Sequence, residues 1–105
     1  MELLDLPEPP DAILASHGLL AISALQAVTS KGLRIPGDVA VIAYMTDWVS
    51  EMSHPRVSFI KQNLREISVK AFQLLQDQLN GDDSVQHIVV KANLELRDST
   101  KNNNQ

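Results

Sequence analysis

Gly32-Leu33-Arg34-Ile35-Pro36-Gly37-Asp38-Val39-Ala40-Val41-Ile42-Ala43-Tyr44 decides the fold. Gly32 is the residue type that ends a helix in the left-handed region, and Pro36 beyond it stops any continuation. Pro36-Gly37-Asp38 reads as a turn. Val39 to Tyr44 is apolar without alternation, the pattern of a central parallel strand covered on both faces. Upstream, Gly18 to about Lys31 lacks proline and reads as a helix. Leu19, Leu20, Ile22, Leu25 and Val28 spread round most of its girth, leaving Ser23, Gln26 and Ser30 as a narrow polar strip. An apolar face so wide is expected to be covered from two sides. Ala12-Ile13-Leu14-Ala15 is a second buried strand, behind an extended lead-in ending in Pro7-Glu8-Pro9-Pro10. Strand, helix and strand with short links make a βαβ unit. The fold class is α/β, an open, mostly parallel sheet with flanking helices.

Downstream, residues 45–56 read as a loop with one helical turn near Asp47–Met52, and Val57-Ser58-Phe59-Ile60 as a third short strand. Leu64 to Leu79 is the clearest helix: Leu64, Ile67, Ala71, Phe72, Leu75 and Leu79 form one stripe, and Asn80-Gly81 ends it. His87-Ile88-Val89-Val90 and Asn93-Leu94-Glu95-Leu96-Arg97 read as strands, the second alternating and so half exposed. Residues 98–105 are polar and expected to fray.

Composition narrows the function. The 105 residues are 44% hydrophobic and 21% charged, the make-up of one globular domain. Nine Lys+Arg against 13 Asp+Glu leave a net charge of −4, so the basic field that nonspecific duplex binding needs is missing. Autonomous binding of nucleic acid is not expected. The absence of cysteine removes disulfides and thiolate chemistry and fits a reducing cytoplasm. No apolar run approaches the ~20 residues that cross a bilayer, and the acidic start Met1-Glu2-Leu3-Leu4-Asp5 is unlike a secretory signal. No membrane association is expected.

In an open α/β sheet, ligands collect beyond the carboxyl ends of the strands, beside helix N-termini with free N–H donors. Those ends are Ser16-His17-Gly18 and Met45-Thr46-Asp47-Trp48. If the two strands are neighbours, both segments face one crevice. The candidate ligand-binding residues are Ser16, His17, Thr46 and Asp47 as hydrogen-bonding groups, with Tyr44 or Trp48 as a wall. The competing reading is local: Ser16 or His17 starts the helix and Asp47 caps the next turn. Trp48, the only tryptophan, lies beside Val49 and Met52 and either folds back on its own core or marks a contact surface. Catalysis finds no support. Ser16 and His17 are adjacent, so on an extended backbone their side chains diverge, and no nucleophile elbow, dinucleotide turn or P-loop occurs. His17, His54 and His87 lie far apart, and none has a metal-ligand partner at i+3 or i+4. No catalytic residue, metal or cofactor is expected.

The stretch from Pro10 to Ser16, the helix after it and the block from Gly32 to Ile42 together resemble the C-terminal part of the lactose-repressor-type (LacI/GalR) bacterial transcription regulators. Ser58-Phe59-Ile60-Lys61-Gln62 is similar to that family's T-x-[IV]-x-Q, and Leu94 to Ser99 to its L-x-x-R-x-S ending. The likeness covers Pro10 to Ser99 in order and spacing, and the Gly-Leu-Arg-Ile-Pro-x-Asp-Val-Ala-Val-Ile block is its most specific part.

The resemblance implies a partial periplasmic-binding-protein-like (type I) fold, about the last third of a regulator whose N-terminal helix-turn-helix is not in this chain. Residues 11–56 would be a βαβ part of the C-terminal lobe. Residues 57–85 would be a crossover strand and helix of the other lobe, 86–99 returning strands, and 100–105 a disordered tail. It implies a small-molecule, sugar-like effector, and DNA contact only through the missing N-terminal domain. It also implies a homodimer through C-lobe surfaces, here Leu20, Trp48, Val49 and Met52. Where the family has Asn-Asp before the first helix this chain has His17-Gly18, and where it has Gly-[Phe/Tyr]-Asp-Asp after the second strand it has Ala43-Tyr44-Met45-Thr46. His17 and Thr46 would stand in for sugar-binding carboxylates. The alternative function is a fragment of a solute-binding protein of sugar uptake, which shares the two-lobed fold.

Overall fold

The computed structural model describes residues 2–100. In chain order the elements are β1 (Ala12–Ala15), α1 (Gly18–Ser30), β2 (Ala40–Tyr44), α2 (Asp47–Met52), β3 (Ser58–Lys61), α3 (Leu64–Leu79) and β4 (Asn93–Glu95), with 3-10 turns at Glu2–Asp5 and Asp98–Thr100. The strands form one open sheet in the order β1-β2-β3-β4, parallel through the first three and antiparallel at β4. This is the mostly parallel α/β sheet that the βαβ pattern predicts. The chain divides into two compact units, one comprising residues up to Lys61 and from Asn93 onward, the other Gln62–Ala92.

In the first unit, α1 ends as its glycine predicts. Gly32 has φ +73°; its N–H donates to the Thr29 carbonyl at 2.9 Å and the Leu33 N–H reaches the Val28 carbonyl at 3.2 Å. That pair of bonds satisfies the last carbonyls of the helix, and Leu33 packs on the buried cluster of Leu4, Val28 and Val39. The turn that follows is closed by charge. Asp38 accepts from the Arg34 N–H at 2.8 Å and from the guanidinium at 3.2 Å, while the Asp38 N–H donates back to the Arg34 carbonyl at 2.9 Å. The Arg34 hydrogen bonds hold the Asp38 carboxyl below its ordinary pKa.

Ala21, Ala24 and Leu25 of α1 bury against Ala15, Val41, Ala43 and Val57. Strand alternation puts Leu14, Ile42, Tyr44, Ile60 and Leu94 on the opposite sheet face. There Leu14 is 59% and Leu94 58% exposed, so β1 is not buried on both faces as its apolar run predicts. A continuous apolar strand is dry on both sides only when helices cover both, and α1 covers one. Within this chain the sheet covers one side of α1, and its Leu19 and Leu20 stay exposed at the first turn.

The strand predicted at Val57–Ile60 pairs with β2 and β4. Its place is in the sheet of β1 and β2, and the chain leaves that unit after Lys61, not before Val57. The 86–99 segment also differs from expectation. His87–Val90 carries no strand, because a strand needs a ladder partner and an apolar run does not supply one. The second run forms β4 over Asn93–Glu95. Thr100, expected in the tail, closes the second 3-10 turn; residues 101–105 lie outside the described residues.

That second turn fastens the sheet. Ser99 is fully buried: its hydroxyl donates to the Val41 carbonyl and accepts from the Ser58 N–H at 2.8 Å, and its own N–H donates to the Arg56 carbonyl at 3.0 Å. The Ser58 hydroxyl accepts from the Arg97 N–H at 2.7 Å, and Arg56 bonds Asp98 at 3.3 Å. The R-x-S ending therefore joins β2 and β3 across more than 40 residues of chain, giving buried polar groups the partners they need.

Candidate functional site

The parallel register sets Ala15 of β1 opposite Ala43 of β2, so both chains run out at the same sheet edge. Gly18 shows how close the two exits come. A Cβ there would lie 3.3 Å from Val49 Cγ1, a tight contact, and 3.9 Å from Met45 Cβ, so α1 starts close against the segment that follows β2. The edge gathers Ser16, His17, Thr46 and Asp47, all exposed. Tyr44 ends β2 on the face that carries Ile42 and Ile60, the one turned from α1.

The local reading holds for position but not for side-chain capping. His17 occupies the N-cap position of α1 and Thr46 that of α2, yet neither side chain makes a capping hydrogen bond. Asp47 sits in the first turn of α2, one residue past the cap. Its Oδ2 instead accepts from Lys61 Nζ at 3.0 Å. The first hydrogen bond of α1 runs from the Ala21 N–H to the His17 carbonyl at 3.1 Å, so the N–H groups of Gly18 to Leu20 precede the helical ladder and point outward as donors. Hydroxyls, an imidazole, amide donors and an ion pair along one edge can hydrogen-bond a small polar ligand.

Lys61 is the residue that sequence reasoning missed. Register pairs Tyr44 with Ile60, so Lys61 leaves β3 at the edge where Asp47 lies. The signal was present, since any residue following a third parallel strand exits there. The family resemblance assigns that strand to the other lobe and so draws Lys61 away from this edge.

Beside this edge, Trp48 is 66% and Met52 77% exposed, Leu20 is also exposed, and Val49 is half-buried against Gly18. Trp48 therefore points outward rather than back onto its core. The second unit has its own open groove of about 460 Å³, lined by Ile67, Lys70 and Leu74 of α3 and by Gln86, His87 and Val90. Nothing in the sequence pattern singled it out. Among the described residues, no group of three or more His, Cys, Asp or Glu is placed to hold a metal ion, and no helix is long and apolar enough to cross a membrane.

Comparison with known proteins matches residues 1–100 to the family described as periplasmic binding protein-like domain. The chain is 34% identical over 100 residues to the probable HTH-type transcriptional repressor ExuR of Bacillus subtilis, covering 94% of this chain and 30% of ExuR. It is 35% identical over 99 residues to the lactose operon repressor of Rhizobium radiobacter, covering 94% of this chain and 88% of that protein. Among solved structures, the transcriptional regulator CelR in complex with cellobiose superimposes with a TM-score of 0.79 at 31% identity, covering 93% of this chain and 30% of CelR. This chain thus spans under a third of ExuR and of CelR.

Proposed function

The chain belongs to the periplasmic binding protein-like domain family, within its LacI-type transcription regulators, and on that premise we propose that it is an effector-sensing and dimerising portion of such a regulator. The edge formed by Ser16, His17, Thr46 and Asp47 contributes one wall of the effector cleft. The unit holding β1 to β4 belongs to one lobe and Gln62–Ala92 to the other. The observation that carries the reading is the β1–β2 register, with Gly18 set against Met45 and Val49, which opens both strand exits at one edge.

The cellobiose bound to CelR supports a sugar-like effector. Ser16, His17 and Thr46 offer hydrogen-bonding groups to its hydroxyls, and Asp47 offers the one carboxylate in the set. Leu20, Trp48, Val49 and Met52 form an apolar patch whose partner is a second copy of the chain, and homodimer formation is read from it. Effector binding shifts the population between lobe arrangements and so alters DNA contact made by a helix-turn-helix outside these residues. The part proposed is binding, not catalysis, and a role in transcription control fits a cytoplasmic protein. Relatives named as repressors favour a regulator over a component of sugar uptake.

The test is a titration of Trp48 fluorescence with cellobiose and a panel of mono- and disaccharides. A saturable change, lost in Thr46→Val and Asp47→Asn, supports the site. A saturating response that both variants retain overturns it.

A further inference from the structure

An ion pair between Asp47 and Lys61 ties the candidate effector edge to the end of the β3–β4 ladder. Lys61 is the last residue of β3 and its ladder partner is Asn93, the first residue of β4. The chain leaves the first unit directly after Lys61 and re-enters it at Asn93. Both passages therefore meet at a single terminal rung. The Lys61 side chain reaches from that rung to Asp47 Oδ2 at 3.0 Å, with both side chains about half exposed.

We propose that Lys61 is a positioning residue that couples the state of Asp47 to the closure of the Lys61–Asn93 rung. The inference rests on the effector reading for its regulatory meaning. A terminal rung frays because one side of it has no further ladder bond to hold it. A side-chain anchor on Asp47 opposes that fraying. A ligand that offers hydroxyl donors to the Asp47 carboxylate competes with the Lys61 ammonium and releases the anchor. By linkage the converse holds: opening of the rung carries Lys61 away and frees Asp47 for ligand. The pair thus gives the effector edge a mechanical link to the place where the chain passes between units, with no rearrangement of the sheet core.

The experiment is amide hydrogen exchange, read by NMR on the ligand-free 105-residue chain, comparing amides at the Lys61–Asn93 end of the β3–β4 ladder with those of the β1–β2 ladder. Lys61→Met and Asp47→Asn are each expected to speed exchange at the terminal rung by up to about fivefold, the size an exposed ion pair supports. The double variant should add little to either, and Lys61→Arg should retain the wild-type rate. The β1–β2 amides should not change. Exchange at the rung that is unaltered by Asp47→Asn, or altered by Lys61→Met alone, overturns the coupling. Because no ligand is present, this outcome is independent of whether the Trp48 titration finds an effector.

Discussion

The chain's two phenylalanines meet opposite fates. Phe59, in β3, is completely buried, whereas Phe72, in α3, is 60% exposed. The helices repeat the contrast. α1 has apolar residues round most of its girth and no clean stripe, yet buries Ala21, Ala24, Leu25 and Val28. α3 carries a regular stripe and buries none of it. Amphipathic spacing therefore reports the face a helix offers, while burial reports whether a strand within the same unit lies against it. In the first unit β1 and β2 lie under α1. In the second, α3 lines an open groove with the strandless 86–90 segment.

The sharpest way to break this comparison is to truncate both rings. Phe59→Ala should cost about 3–5 kcal/mol, since a large buried side chain leaves a cavity. Phe72→Ala should cost no more than about 0.5 kcal/mol, the usual range for an exposed position. Urea midpoints followed by Trp48 fluorescence for Phe59→Ala, and by far-UV circular dichroism for Phe72→Ala, give both numbers. Similar losses at the two sites would mean that α3 has a cover the exposures do not register.

The comparison sharpens at the C-terminal turn. Ser99→Ala removes the hydroxyl that joins the Val41 carbonyl to the Ser58 N–H, leaving both buried groups short of a partner. The expected cost is about 1–3 kcal/mol, measurable as a fall in the urea midpoint, with the far-UV signal of α3 unchanged in native buffer. A neutral Ser99→Ala would show that the ladder between β2 and β3 needs no such fastening.

The smallest effect concerns Asp38. Its carboxyl is held low by Arg34 hydrogen bonds, so folding favours the ionised form. The resulting stability is fully present above the unfolded carboxylate value of about 3.9 and is lost as pH falls through the lower folded value. Asp38→Asn should therefore be less stable than wild type at pH 7, and the gap should narrow by pH 3. Exposure keeps this contribution small. A gap that stays constant with pH would assign the effect to side-chain packing.

Much of this architecture could be read from local chemistry. Leu64–Leu79 is legible at both ends: Asn63 accepts from the Glu66 N–H at 3.1 Å and bonds back to its side chain, and Gly81 takes φ +99° just past the C-cap. Gly32 and the Arg34–Asp38 turn mark the end of α1 and the way into β2 in the same manner. The βαβ order brought Ser16, His17, Thr46 and Asp47 to one edge because parallel neighbours share their carboxyl end. Non-local pairing is what could not be read. The resemblance assigns Val57–Ile60 to the other lobe, the apolar run at His87–Val90 predicts a strand, and neither signal reaches Lys61, because period-2 and apolar-run patterns do not name a partner strand. Leu14 misled for a related reason, since apolar character does not say how many layers cover a sheet.

The central claim is that the exits of β1 and β2 form one recognition edge, and backbone amide shift mapping during a saccharide titration tests it most directly. The account predicts that a binding saccharide perturbs Ser16, His17, Thr46 and Asp47 together, with Lys61 following and the α3 groove unmoved. Perturbation centred on Lys70, Gln86 and His87, with the strand exits unchanged, would contradict it.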